Sequence, residues 1–245
     1  MAWVLFFCLL SVVGTMAATG LILALPERLR MPLVSHLVSY ATGTLLGAVC
    51  LGLLPEAQEK APPSLVLPWF LAGLLTFFLM EKLVLWRHCH KPECDVHANP
   101  GLLLMVGDAV HNFMDGVIIA GAFLLAFPLG VITGLAVLAH EIPQELGDTA
   151  VLLDSGYSRG RALLLNLLSA LTIFPGGFLA FYFFSHLEQT LPYIMAFGAA
   201  SFLYIALADL IPALHRRLGL KHTLIQLALI LAGIGTIRLL HFHPH

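Results

Sequence analysis

Residues 101–126 read GLLLMVGDAVHNFMDGVIIAGAFLLA, and residues 129–153 read LGVITGLAVLAHEIPQELGDTAVLL. Each run is long enough to cross a bilayer as a helix, which takes roughly 20 residues. Each also carries acids and histidine deep inside it: His111-Asn112-Phe113-Met114-Asp115 in the first, His140-Glu141-Ile142-Pro143-Gln144-Glu145 in the second. An acid at the centre of a membrane helix costs about 2.5–3.5 kcal/mol even on a mild insertion scale. Neither run contains Lys or Arg. Positive charge has to come from elsewhere, and a divalent cation is the simplest source.

The rest of the chain supports a membrane setting. Of 245 residues, 59% are hydrophobic and 11% charged, with a mean hydropathy of +0.93; a soluble domain carries about 25% charged residues. Apolar runs of this length are helical rather than barrel strands. Eight segments are expected, at about 2–25, 35–54, 66–86, 101–126, 129–153, 161–184, 191–214 and 222–240, separated by Pro26, Pro55, Pro62-Pro63, Pro100-Gly101, Pro128 and Pro192. The expected fold is all-α and integral to the lipid bilayer, one transmembrane domain over 1–245. The first segment lacks a preceding basic region, so it reads as a retained helix rather than a cleaved leader. The four cysteines define no disulfide framework. Nothing in the charge pattern suggests nucleic acid, and a homodimer is one of the assemblies left open.

Charge sets the expected orientation. The odd-numbered connections hold Arg28, Arg30, Lys82, Arg87, Lys91, Arg159, Arg161, Arg216, Arg217 and Lys221, whereas the even side holds Lys60 and Arg238. Basic loops stay in the cytoplasm, so both termini are expected outside, with a cell (inner) membrane as the expected location. A faint repeat relates Gly43–Pro55 to Ala200–Pro212: small residues, then Leu-aliphatic-Pro. The two stretches would run in opposite directions, as an inverted repeat of three helices at each end around a central pair would produce.

Helix periodicity groups the polar residues. Asp108, His111 and Asp115 share a face of the fourth segment; His140 and Gln144 share a face of the fifth, as do Glu141, Glu145 and Asp148. A short connection at Phe127-Pro128-Leu129 makes the two segments antiparallel neighbours. Reflection about Pro128 matches Asp115 with Glu141, His111 with Glu145, and Asp108 with Asp148 in depth. Pro143 lacks an N–H, which frees the Ala139 carbonyl and favours a kink beside His140. Imidazoles with carboxylates suit Zn²⁺, and also Fe²⁺ or Mn²⁺.

At these residues the chain resembles the ZIP (Zrt/Irt-like) metal transporters. The fourth segment matches in Gly107-Asp108-Ala109-Val110-His111-Asn112-Phe113-Met114-Asp115-Gly116, and the fifth matches the HExPHExGD signature of one large subfamily from His140 to Asp148. Asn166 to Leu171 and Phe202 to Asp209 are similar to the same subfamily. The resemblance implies eight helices in a 3+2+3 inverted repeat, outward termini, and a binuclear metal site between the fourth and fifth helices. Carried over by position, His111, Asp115, His140 and Gln144 line one metal position; Asn112, Glu141 and a bridging Asp115 line the other. Gln144 stands where the signature has its second histidine. Ala48 and Gly52 stand where the subfamily usually has Asp and His.

The expected function is import of a divalent transition metal, zinc first, with Fe²⁺, Mn²⁺ or Cd²⁺ as competitors, the ion leaving past Asp108 and Asp148. Two other readings use the same residues. A proton-coupled carrier or relay would need no metal. An intramembrane zinc hydrolase would build on His140-Glu141 as the start of HExxH, but the fifth position is Gln144. The chain is therefore not read as an enzyme. The run His88-Cys89-His90 to Cys94, Asp95 and His97 is a candidate metal-binding segment, and His241, His243 and His245 at the end of the sequence can gather metal.

Overall fold

The computed structural model describes residues 1–86, 100–216 and 219–241. Among them every regular element is helical. Eight long helices follow one another: α1 (Ala2–Ala24), α2 (Glu27–Lys60), α3 (Pro63–Trp86), α4 (Pro100–Leu125), α5 (Phe127–Asp154), α6 (Arg159–Phe184), α7 (Leu191–His215) and α8 (Leu220–His241). The His/Cys run at 88–97 and the final histidines at 243 and 245 lie outside the described residues.

Seven of the eight are long and apolar enough to cross a membrane. The exception is α5, whose His140, Glu141, Gln144, Glu145 and Asp148 dilute its hydropathy. Its 28 residues still give about 42 Å of helix at ~1.5 Å per residue, more than a hydrocarbon core requires. Large apolar side chains stand outward along α3 and α8, including Leu71, Leu75, Leu79, Leu224, Leu227 and Leu231, each about half exposed or more. An apolar surface of this extent is a lipid surface. The chain is a multi-pass integral membrane protein.

The prolines behave in two ways. Pro63, Pro100, Pro128 and Pro192 sit in the first turn of their helices, where the missing N–H has no partner to lose. Pro55 does not end its helix, contrary to the sequence expectation: α2 continues to Lys60. It does so through a π-helical segment, Ala48–Leu53, in which Leu54 N–H bonds the Val49 carbonyl. The wider turn relieves the clash that Pro55 would make with the carbonyl four residues back. Helix α7 repeats the device, with a π segment at Ala206–Leu210, Ile211 N–H bonding the Ala206 carbonyl, and Pro212 one residue further on. The faint repeat is thus a repeat of backbone geometry, and it relates the second helix to the seventh. In α5 the helix runs on through Pro143 without a break.

Helix α6 is broken at Leu171 and Thr172, between Arg159–Ala170 and Ile173–Phe184. Pro175 cannot donate to Leu171, whose carbonyl takes the Phe174 N–H instead. The Thr172 hydroxyl, turned across the break, donates to the Ala109 carbonyl of α4 at 2.5 Å. A Cβ at Gly116 would overlap the Ile173 carbonyl, and one at Gly176 would overlap the Phe113 carbonyl. Only glycine lets the α4 and α6 backbones come this close. The same contact recurs between Gly43 of α2 and Ile230 of α8. The core between these pairs is apolar and sealed, with Leu53, Ile118, Ile119, Leu129 and Ile132 at most 1% exposed.

Candidate metal centre

Helices α4 and α5 are joined by a single residue, Ala126, in extended conformation. The reflection that pairs their side chains turns about Ala126, two residues earlier than the Pro128 expected from sequence. His111 and Glu141 each lie fifteen residues from it, and Asp108 and Gln144 each lie eighteen from it. Moving the pivot by two residues moves each partner on α5 by about one helical turn. His111 therefore faces Glu141 instead of Glu145, and Asp108 faces Gln144 instead of Asp148.

Four side chains converge. His111 Nε2 lies 3.1 Å from His140 Nε2, 3.3 Å from Glu141 Oε1 and 3.7 Å from Asp115 Oδ2. His140 Nε2 lies 3.2 Å from Asp115 Oδ2 and 3.5 Å from Glu141 Oε1. One ligand atom from each of His111, Asp115, His140 and Glu141 falls within 4.8 Å of all the others. Both Asp115 oxygens and Glu141 Oε1 are buried, and the polar atoms beside Asp115 Oδ2 and Glu141 Oε1 are the two imidazole Nε2 atoms. An ionised carboxylate kept from water without a partner costs several kcal/mol. A cation at the centre of this set removes that cost, and two imidazoles with two carboxylates are a donor set of the kind zinc takes.

The backbone orients one of the imidazoles. His140 Nδ1 lies 2.9 Å from the Ala136 carbonyl, which can only accept, so Nδ1 carries a hydrogen. In the neutral ring, Nε2 then presents its lone pair to the cluster. Phe202 of α7, itself fully buried, stands edge-on to His140 with ring centroids 5.5 Å apart. Asp115 and His140 are 0% exposed and Glu141 is 1% exposed, while the His111 side chain keeps 13%.

His111 opens on a cavity of about 450 Å³. Asp108, Gln144, Asp148 and Asp209 also line it. It lies at the end of the bundle where α2 and α4 begin and α3, α5 and α7 finish, the end that carries the basic connections. On the other side of the cluster lie the sealed residues Leu53, Leu129 and Ile132.

The remaining sequence candidates occupy other positions. Gln144 is not among the four; its Nε2 donates to Asp108 Oδ1 at 3.1 Å. Asn112 Nδ2 donates to the same oxygen at 3.1 Å and to the Asp108 carbonyl. Glu141 takes the place in the cluster that position-matching gave to Gln144. Glu145 points away, buried, beside α6, where Asn166 donates to the Glu145 carbonyl and to Thr149 Oγ1. Neither Glu145 carboxylate oxygen accepts a hydrogen bond. Asp148 stays on the cavity wall. The Ala136 carbonyl was missed, though its place four residues before His140 was a signal. Phe202 was missed as well, and an aromatic in an apolar helix gives no signal.

Known proteins match this chain closely. A family model described as ZIP Zinc transporter matches residues 86–241. Zinc transporter ZIP13 of Pongo abelii is 34% identical over 220 residues, covering 82% of this chain and 65% of that protein. The ZIP13 homolog of Drosophila melanogaster is 32% identical over 273 residues, covering 83% of this chain and 76% of that protein. Zinc transporter ZIP4 of Homo sapiens is 46% identical over 112 residues, 46% of this chain and 17% of that protein. The chain thus spans about two thirds of the first relative and a sixth of the last. With a match this long laid over the helices that carry the His111–Glu141 cluster, the chain belongs to the ZIP zinc transporter family.

Proposed function

We propose that this protein carries divalent transition metal, zinc above all, into the cytoplasm through the site between α4 and α5, with 1–245 acting as one transmembrane unit. The observation that carries the reading is the convergence of ligand atoms from His111, Asp115, His140 and Glu141 within 4.8 Å, with the carboxylates buried beside the imidazoles. The names of the relatives point the same way. Fe²⁺, Mn²⁺ and Cd²⁺ are the competitors to test, since a set of two nitrogens and two oxygens excludes none of them.

Direction follows from access and charge. The cluster is reached through the cavity that His111 opens on, at the end with the basic connections, which the positive-inside rule assigns to the cytoplasm. The termini then face outward, and metal leaves by way of this cavity past Asp108 and Asp148. Alternating access moves α4 and α5 relative to the rest of the bundle. The close glycine contact between α4 and α6 makes α6 travel with that pair, and the one between α2 and α8 holds those two helices together. The cell (inner) membrane and a homodimer are part of the same proposal, read by fractionation and by cross-linking in the membrane.

The hydrolase reading loses its second zinc ligand, because Gln144 is engaged with Asp108. A metal-free relay would use the same four side chains to share a proton, and specific Zn²⁺ binding by the purified protein separates it from the transport reading. Zinc uptake into proteoliposomes tests the proposal. Uptake that is abolished by His111→Ala with His140→Ala supports it, and uptake unchanged by that pair refutes the site.

A further inference from the structure

We infer that Gln144 and Asn112 are positioning residues for Asp108, holding its Oδ1 so that Oδ2 is the one oxygen the carboxylate offers to an ion departing from the four-residue cluster. The inference rests on the proposed transport function and goes beyond it in giving Gln144 a role other than ligation.

The geometry is a clamp made from both helices of the hairpin. Asp108 Oδ1 accepts from Asn112 Nδ2, one turn further along α4, and from Gln144 Nε2 across the interface on α5, both at 3.1 Å. A second bond from Asn112 to the Asp108 carbonyl, also 3.1 Å, fixes the Asn112 amide plane. With two donors on one oxygen, rotation of the carboxyl group is blocked, and the other oxygen has a set position. That other oxygen, Oδ2, is buried and accepts no hydrogen bond. The Ser169 hydroxyl neighbours the Asp108 carboxylate, but its single hydrogen has the Asn166 carbonyl of its own helix within reach at 2.9 Å. Asp108, Gln144 and His111 all line the same cavity. Asp108 is thus the first acid beyond His111, and one of its oxygens is left over for a cation.

The clamp also accounts for the residue at 144. The signature that this chain resembles has histidine there, a strong ligand for zinc. A glutamine amide is a weak ligand and a good donor. Donating to Asp108, it leaves the cluster with two imidazoles and two carboxylates, and it joins the cluster to the cavity through a hydrogen bond instead of a metal bond.

Two roles for Gln144 predict opposite results, and four variants separate them: Gln144→Met, which keeps length and removes the donor; Gln144→Glu, which replaces the donor by an acceptor and a better metal ligand; Asp108→Asn; and Gln144→Met with Asp108→Asn. Each is purified as the full chain, titrated with Zn²⁺ by calorimetry, and assayed for zinc uptake in proteoliposomes. A positioning role predicts first-equivalent affinity within about twofold of wild type for Gln144→Met. It predicts a maximal uptake rate lowered about tenfold, the low end of what losing an outer-shell partner costs, for both Gln144→Met and Gln144→Glu. The double variant is no slower than Asp108→Asn alone. A tenfold loss of first-equivalent affinity in Gln144→Met, uptake by Gln144→Glu at or above wild type, or additive losses in the double variant each overturn the inference. If first-equivalent binding survives His111→Ala with His140→Ala, the failure belongs to the proposed site and not to the clamp.

Discussion

His111 Nε2 and His140 Nε2 face each other at 3.1 Å, from two helices joined by one residue. With Nδ1 of His140 committed to a carbonyl, its Nε2 points a lone pair at its neighbour. Only a shared hydrogen or a shared cation makes that approach favourable. The carboxylates of Asp115 and Glu141 beside the pair stabilise positive charge there, whether a proton or a metal ion carries it.

The pair should therefore act as a unit in binding. Either His111→Ala or His140→Ala is expected to weaken zinc binding by at least the 10–100-fold that loss of an outer-shell partner costs, and the double variant to lose far less than the sum of the two. Calorimetric titration of the purified variants measures this. Independent, additive losses would mean that the two rings do not share one ion.

Access should be one-sided in the described state. With Cys8, Cys50, Cys89 and Cys94 replaced, a cysteine at Ala213, on the cavity wall, is expected to react with a membrane-impermeant thiol reagent from the cytoplasmic side. A cysteine at Leu129, in the sealed core, is expected to stay unlabelled under the same conditions. Labelling of Leu129→Cys ahead of Ala213→Cys would reverse the assignment of open and closed ends.

The α4–α6 contact should be intolerant of a single methyl. Gly116→Ala and Gly176→Ala each drive a Cβ into a backbone carbonyl that cannot step aside. Each is expected to destabilise by about 1–3 kcal/mol or more, outweighing the roughly 1 kcal/mol that alanine gains in helix propensity. Gly147→Ala, with open space around it, is expected to be neutral or stabilising. Thermal unfolding in detergent ranks the three.

The π segment of α7 should matter because it sets where Asp209 lies. Pro212→Ala restores an N–H that can bond the Ala208 carbonyl, so the wide turn can close to an α-helix and re-register the residues around it. A several-fold fall in zinc uptake is expected. Pro192→Ala, in the first turn of the same helix, is expected to match wild type, since no internal bond is at stake there. Equal uptake by Pro212→Ala and Pro192→Ala would show that the wide turn is incidental.

Much of this architecture could be read from sequence, and the reason is the bilayer. A membrane obliges each crossing to be a long apolar helix, so hydropathy alone put α1, α3, α4 and α7 within a few residues of their observed limits. It also made acids at mid-membrane conspicuous, which is why His111, Asp115, His140 and Glu141 stood out before any geometry was known. The repeat between Gly43–Pro55 and Ala200–Pro212 was visible as spacing, although its physical content, two π turns ahead of two prolines, belongs to the backbone and has no residue signature of its own.

What sequence could not fix was which polar groups meet. That choice depends on where the α4–α5 hairpin turns, and helix geometry magnifies a small error there: two residues at the pivot become one turn on the partner helix. Composition and periodicity determined that acids and histidines share these two helices, because burying charge in lipid admits few alternatives. The tertiary structure alone decided that Glu141 completes the cluster, that Gln144 and Asn112 hold Asp108, and that Phe202 closes over His140, because each of those contacts is made across helices whose relative register no local pattern encodes.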